Sequence, residues 1–295
     1  MDAVDPSAFV ADRGGKHIVE VLIEERCQRL MTSPLWPVYR ALLYPLLRKD
    51  EAVRMADAVA DLPGRGVFDH VSDMLRLDVA AAGVEHVPKT GGVIIASTHP
   101  TGIADGVAMY DALKRVRDDI VFFANRDAVR VAPRLLDNLI PVEWVLAKRT
   151  RERSRETLAT ATRAFEAGAC VVLFASGRIA YRDERGRLNE QPWQPTVATF
   201  ARKYRCPVVP ADVVARNSAL YYFFWKVNAE LRDITLFNEL LNKRGKRFDI
   251  AFGPAIAHEA LKGDPAAVAA RLREHAAFDV RAGRAFAPLD AAAAG

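Results

Sequence analysis

Two periods of hydrophobic and polar positions alternate along this chain, and they predict strands and helices in turn. Short apolar runs rich in β-branched residues are typical of buried strands, whereas apolar residues three and four apart indicate amphipathic helices. The predicted strands are Val93–Ser97, Ile120–Ala124, Val171–Ala175, Val208–Val214 and Phe248–Phe252. The predicted helices between them are Val107–Arg115, Ser154–Ala167 and Thr196–Tyr204. This alternation predicts an α/β fold with a mixed, largely parallel sheet flanked by helices.

Helical patterns also flank the predicted sheet on both sides. The predicted helices outside it are Val19–Met31, Glu51–Ala60, Val67–Leu75 and Pro265–Ala282. We therefore expect three segments: a helical N-terminal extension at 1–75, a central domain at 76–258, and a C-terminal helix with a tail at 259–295.

The segment 34–47 has two interpretations. It holds Trp36, Tyr39 and Tyr44 among aliphatic residues and is followed by Arg48 and Lys49. This composition suits an element lying at a membrane interface, but it also suits a helix that covers a core. It is too short to cross a bilayer.

Composition narrows the class of protein. Of the 295 residues, 51% are hydrophobic, which is enough to bury a large core, and no apolar run approaches the roughly 18–20 residues of a spanning helix. The N-terminus has no signal-peptide pattern, and three widely spaced cysteines fit a reducing cytoplasm better than a disulfide framework.

The net charge of +5 favours an anionic partner, which could be nucleic acid, anionic lipid or an acidic carrier protein. Basic clusters lie at 148–155, 202–205 and 243–247, and each alone is most often a solvated face. No Walker loop, dinucleotide fingerprint or metal-ligand spacing is present. We therefore predict no cofactor and no metal.

The most informative stretch follows the strand Val93–Ser97. The apolar run is followed by His99, and Pro100 and Gly102 then prevent the strand from continuing. Asp105 stands where a helical pattern begins. A neutral imidazole is a good general base near pH 7, and a carboxylate on its other ring nitrogen fixes the tautomer. The spacing predicts a catalytic pair, although a histidine at a strand end can also simply satisfy a loop carbonyl.

Two further strands end in polar residues. Ser176, Gly177, Arg178 and Arg182 follow Val171–Ala175, and an arginine there can bind a phosphate or carboxylate with its planar fork or form a surface ion pair. Phe174 stands where a serine-hydrolase elbow requires glycine, so Ser176 is not predicted to be a nucleophile. Arg126, after Ile120–Ala124, could line the same crevice.

In this order, the blocks resemble the glycerolipid acyltransferase superfamily of the lysophosphatidic acid acyltransferase type, over about residues 75–258. The stretch His99-Pro100-Thr101-Gly102-Ile103-Ala104-Asp105-Gly106 is similar to the signature of its hemolysin-like branch, which includes lyso-ornithine lipid acyltransferases. The blocks at 216–219 and 239–245 also resemble that branch. The common pattern has four residues between the histidine and the aspartate, whereas this chain has five.

The resemblance implies transfer of an acyl group from acyl-CoA or acyl carrier protein to the hydroxyl of a lysolipid. His99 would be the general base and Asp105 would orient it. Binding of substrate would involve the residues of the remaining blocks, namely Arg178, Arg126, Arg182, Ser176, Gly177, Thr101 and Gly102. Backbone N–H groups near Gly102 would stabilise the oxyanion.

The block around Ser176 departs from the family pattern. Ser176 stands in place of the glutamate of a Pro-Glu-Gly-Thr-like block. We therefore expect an acceptor without a phosphate, such as lyso-ornithine lipid, more than 1-acylglycerol-3-phosphate.

The expected setting is cytoplasmic, with peripheral contact to an anionic membrane on the inner face of the cell membrane and no nucleic acid partner. The alternatives are a lipid-binding protein without catalytic activity and, less favoured, a basic nucleic-acid-binding module.

Overall fold

The computed structural model describes residues 15–143 and 150–289, which form two compact units. Part of the basic cluster at 148–155 lies outside the described residues. The helical unit comprises residues 15–77, 124–143, 150 and 217–246, and the sheet unit comprises 78–123, 151–216 and 247–289. Both units are discontinuous in sequence, and the predicted division at residues 75 and 258 stays a prediction.

The sheet unit is built on a mixed, largely parallel sheet flanked by helices, which confirms the predicted fold class. Its strands are β1 (Asp78–Ala82), β2 (Val93–Ser97), β3 (Ile120–Asn125), whose last two residues belong to the helical unit, β5 (Cys170–Phe174), β8 (Val208–Val214) and β9 (Arg247–Phe252). They are ordered β1-β9-β8-β2-β5-β3. Two short strands, β6 (Tyr181–Arg182) and β7 (Leu188–Asn189), form a separate antiparallel hairpin.

Strand β2 lies in the middle of this sheet. It pairs in parallel with β5 on one side and β8 on the other, and all five of its residues are buried. Strand β9 is antiparallel to β8, and β1 is parallel to β9. The carboxyl ends of β2, β5, β8 and β3 therefore meet at one edge of the sheet, where ligands bind in open α/β sheets.

Helices pack on this sheet with their apolar faces inward. They are α6 (Ile103–Leu113), α8 (Arg151–Glu166), α9 (Thr196–Tyr204) and α13 (Pro265–Glu274). The helix predicted over 265–282 ends earlier, because the backbone changes to a π-helix over His275–Asp279.

The helical unit contains α1 (Ile18–Arg26), α2 (Gln28–Met31), α3 (Trp36–Leu46), α4 (Lys49–Val59), α5 (Gly64–Leu75), α7 (Asp127–Val131), β4 (Leu139–Val142), α10 (Ala219–Val227), α11 (Ala229–Ile234) and α12 (Leu236–Leu241). The prediction of one helix over 19–31 is wrong. Buried Cys27 leaves the helical conformation, and its N–H donates to the Glu24 carbonyl, so α1 and α2 are separate.

Helix α3 has no buried residue. Leu35, just before it, and Val38, Leu42 and Leu46 within it have side chains between 48% and 68% exposed, and their spacing of three and four places them along one stripe. This exposure argues against the interpretation of α3 as a helix that covers a core. No helix within the described residues is long and apolar enough to cross a membrane.

Candidate active site

His99 follows the carboxyl end of β2 by two residues, and Asp105 lies in the first turn of α6. The turn between them brings the His99 Nδ1 atom to 3.0 Å from the Asp105 Oδ2 atom. The carboxylate oxygen stands at hydrogen-bond distance but away from the direction of the ring N–H, so the pair does not have good hydrogen-bond geometry. The His99 side chain is 16% exposed and that of Asp105 is fully buried.

Asp105 is held by donors from its own turn. Its Oδ2 atom accepts hydrogen bonds from the N–H groups of Thr101, at 2.8 Å, and Gly102, at 3.0 Å. The Thr101 hydroxyl donates to the other carboxylate oxygen. These three hydrogen bonds satisfy both oxygens of the buried carboxyl group and fix its position.

Thr101 and Gly102 therefore serve Asp105 in this structure. Both backbone N–H groups that lie in the turn beside His99 are donated to the Asp105 carboxylate. From the sequence we expect N–H groups near Gly102 to stabilise the oxyanion. In this structure the N–H groups of Thr101 and Gly102 are already used by Asp105. The contact of these two residues with substrate stays a prediction.

Gly102 is required by the shape of this turn. Its φ of +96° is rarely adopted by residues with a side chain, and a Cβ atom there would stand 2.7 Å from Ile179 Cδ1. The loop after β5 thus packs directly against the turn that carries His99. The Ala180 N–H donates to the His99 carbonyl at 2.8 Å, which joins the two loops.

The imidazole of His99 also contacts β5. Its ring stacks on Phe174 with the centroids 4.3 Å apart and an angle of 24° between the planes. Phe174, whose place in the sequence argued against a hydrolase elbow, forms one wall of the histidine's site.

Ser176 is a structural residue at this edge. Its side chain is buried, and its hydroxyl contacts both the Arg178 carbonyl, at 2.8 Å, and the Glu190 carboxylate, so it can donate its one proton to either. Gly177 beside it has a φ of +64° and makes the turn possible. The structure thus gives no support to Ser176 as a nucleophile.

The three predicted arginines occupy different places. Arg178 follows the β5 turn in the loop that packs on the His99 turn, and its side chain is exposed. Arg182 is exposed on strand β6 of the hairpin. Arg126 precedes α7 in the helical unit. Their roles in binding substrate stay predictions.

Glu190, which sequence reasoning missed, contacts the main chain of the histidine. Its Oε2 atom accepts a hydrogen bond from the His99 backbone N–H at 2.9 Å, and its Oε1 atom accepts one from the Trp193 indole at 3.1 Å. The side chain is 8% exposed, and burial raises its pKa above the ordinary value despite these donors. A hydrophobic pattern cannot reveal it, because a lone glutamate after a hairpin is usually exposed.

None of the three cysteines is a candidate nucleophile. All three thiols are buried, and burial raises the pKa to about 12 for Cys170 and about 11 for Cys27 and Cys206. Such thiols are poor nucleophiles at neutral pH. Within residues 15–143 and 150–289, no group of three or more His, Cys, Asp or Glu side chains is arranged to hold a metal ion.

The blocks at 216–219 and 239–245 share contacts in the helical unit. The Ser218 N–H donates to Glu239 at 2.8 Å, and Lys243 forms an ion pair with the same buried carboxylate at 3.0 Å. The two blocks are thus one polar cluster with a structural role. The hemolysin-like branch that they suggested stays a prediction.

Comparison with known proteins adds a family. The family model described as Acyltransferase matches residues 78–214, a range that contains His99, Asp105 and the block around Arg178. A solved structure that is similar is that of the 1-acyl-sn-glycerophosphate (LPA) acyltransferase PlsC from Thermotoga maritima. It has 14% sequence identity and a TM-score of 0.45, and the match covers 88% of this chain and 95% of that one. No curated protein matches the sequence.

Proposed function

We propose that the protein moves a fatty acyl group from an acyl thioester to the hydroxyl of a lysolipid. The match of residues 78–214 to the family model described as Acyltransferase supports an acyltransferase enzyme. The single observation that carries the proposal is the His99–Asp105 pair. It stands at the carboxyl end of the central strand, with a fully buried carboxylate 3.0 Å from Nδ1 of a partly exposed imidazole.

The pair can perform direct transfer without an acyl-enzyme. Nδ1 lies on the side of the ring near Asp105, at 3.0 Å, so we assign Nε2 as the nitrogen that accepts the proton of the acceptor hydroxyl. The hydroxyl oxygen attacks the thioester carbonyl as its proton moves to Nε2. The tetrahedral intermediate then collapses, the carbon–sulfur bond breaks, and the imidazolium returns its proton to the departing thiolate of coenzyme A or acyl carrier protein.

The acceptor is proposed to carry a carboxylate, as a lyso-ornithine lipid does. The loop after β5 presents the exposed guanidinium of Arg178 beside the turn of His99, and one planar fork can bind one carboxylate in a bidentate manner. Ser176 lies where the family pattern has a glutamate, which supports an acceptor other than 1-acylglycerol-3-phosphate.

The enzyme is further proposed to contact an anionic membrane from the cytoplasmic side. The exposed apolar stripe of α3 and the exposed Arg40 on the same helix support this, since an interfacial helix combines apolar and cationic positions. The alternative of a lipid-binding protein without catalytic activity has no feature that favours it over an enzyme with this histidine pair.

The test is transfer from radiolabelled palmitoyl-CoA, and separately from palmitoyl-acyl carrier protein, to a panel of lysolipids. The panel includes lyso-ornithine lipid and 1-acylglycerol-3-phosphate in competition. We expect the wild type to transfer and His99→Ala to lose about 10²–10⁴-fold in kcat with an unchanged circular dichroism spectrum. Undiminished turnover by His99→Ala would refute the catalytic pair, and preference for the phosphate acceptor would refute the acceptor class.

A further inference from the structure

Glu190 is a buried carboxylate that binds the main chain of His99 through one of its two oxygens. One oxygen accepts the His99 N–H and the other accepts the Trp193 indole N–H. The carboxylate also contacts the hydroxyl of Ser176, at the end of β5. Glu190 is thus the acceptor of the His99 N–H.

Glu190 is itself fixed in place from outside the turn. Arg273 of α13 donates two guanidinium hydrogen bonds to the Glu190 carbonyl, at 2.6 and 3.1 Å. Farther along the same segment, the Gln194 N–H donates to the Ala175 carbonyl at 2.9 Å, which ties the segment to the end of β5. The carboxylate is therefore held in a defined position and is not a flexible side chain that happens to lie near the histidine.

The contacts to His99 form a set that leaves its backbone little freedom. Glu190 accepts its N–H, Ala180 donates to its carbonyl, and Phe174 stacks on its ring. The next residue, Pro100, has no N–H to offer and a restricted φ. A shift of the His99 backbone would move Nε2 relative to the acceptor hydroxyl, and misplacement of about 1 Å can reduce a rate by about 10²-fold.

We propose that Glu190 is a positioning residue, which sets the location of the His99 imidazole for proton transfer by fixing the His99 main chain from beneath. The proposal rests on the proposed acyl transfer for its kinetic consequence, but its structural part does not. The carboxylate touches no reacting atom in this scheme and acts through the hydrogen bond to the His99 N–H.

The experiment compares Glu190→Ala and Glu190→Gln with wild type. Asp119 provides matched controls, Asp119→Ala and Asp119→Asn, because its carboxylate binds Arg117 with two hydrogen bonds of 2.7 Å at the amino ends of the strands, away from His99. The measurements are kcat and KM for both substrates with palmitoyl-CoA, and amide hydrogen exchange in the absence of substrate.

We expect Glu190→Ala to lower kcat by about 10–10²-fold with KM for donor and acceptor within about twofold. Exchange at the His99 amide should become faster, whereas exchange in α8 should stay unchanged. Glu190→Gln should retain part of the activity, since its one carbonyl oxygen can still accept the His99 N–H. The Asp119 variants should change neither kcat nor exchange at His99.

Each outcome decides the proposal. Unchanged exchange at the His99 amide in both Glu190 variants would overturn the proposal. A kcat of Glu190→Ala within about twofold of wild type, or a loss of kcat equal to that of the Asp119 variants, would also overturn it. If Glu190→Ala fails to fold, Glu190→Gln decides, since it preserves the volume. If the wild type transfers no acyl group at all, the proposed function fails, whereas faster exchange at His99 would still establish the structural part.

Discussion

The turn that carries His99 and Asp105 depends on single residues that tolerate little change. Gly102 combines a positive φ with a close approach to Ile179, whose Cδ1 atom would lie 2.7 Å from a Cβ atom at this position. Its N–H is one of the donors that fix the Asp105 carboxylate in place. One glycine therefore contributes to the backbone conformation, the packing and the hydrogen bonds of the proposed catalytic pair.

We predict that Gly102→Ala lowers both stability and turnover. The strained φ costs about 1–3 kcal/mol, and relief of this strain should displace the turn and with it the Asp105 carboxylate, while the Ile179 side chain must also move aside. Urea denaturation and kcat on the same preparation measure the two effects. Gly91→Ala is the control, because Gly91 has a φ of +78° with no neighbour near its Cβ position. It should lose stability but keep kcat, and an equal kcat in both variants would contradict the prediction.

The sequence predicts the pair of His99 and Asp105 but not Glu190. His99 and Asp105 were found because they are close in sequence and follow a regular strand. Glu190 could not be found, because its contact with His99 spans 91 residues and depends on how the hairpin segment returns to the end of β5. The same holds for the occupation of the Gly102 N–H by Asp105, which depends on the conformation of the turn.

Among the elements, those with strong periodicity were predicted and those with weak patterns were not. Strands β2 and β8 and helix α9 have the bounds that the sequence predicted. Strand β1 was missed because its sequence Asp-Val-Ala-Ala-Ala is short and only partly buried. Helix α10 is not among the predicted helices, because its run of aromatic residues suits strands as well as helices.

The exposed apolar stripe of helix α3 can be tested for membrane contact. If its stripe enters a membrane interface, Leu42→Asp should weaken binding to anionic vesicles by about tenfold or more, since burial of a leucine side chain contributes roughly 1.5–3 kcal/mol. Vesicle co-sedimentation measures the effect. Leu158→Asp on α8 is the control, because Leu158 is also an exposed leucine, 52% exposed against 68% for Leu42, and the substitution adds the same charge. Equal binding by the two variants would exclude α3 as the contact.

For the whole molecule, stability should depend on pH through His275. Its side chain is 1% exposed, and burial lowers its pKa below the ordinary 6.5, with Arg271 and Arg284 acting in the same direction and Asp279 opposing them. Below about pH 6.5 the unfolded chain therefore binds more protons than the folded one, so the free energy of unfolding falls as the pH falls.

We predict that His275→Gln flattens this dependence. Urea denaturation at pH 8, 7, 6 and 5 should show that the free energy of unfolding falls more steeply with falling pH in wild type than in His275→Gln. Asp279 does not contribute in this window, because its pKa is held below the ordinary 3.8 by Arg284. His258→Gln is the control, since His258 is 25% exposed, and it should keep the wild-type slope. Parallel curves for wild type and His275→Gln would contradict the prediction.

The order of strands in the sheet has a consequence for how the protein is made. Strand β1 pairs with β9 across a separation of 169 residues, and the residue that precedes His99 bonds to β8 across 114 residues. During synthesis on the ribosome, β2 is complete long before either of its neighbours exists. Contacts of such long range slow folding, and an unpaired apolar strand invites association with other chains. Strand β2, which presents His99, thus stays without partners during much of synthesis, and β1 waits longer still for β9.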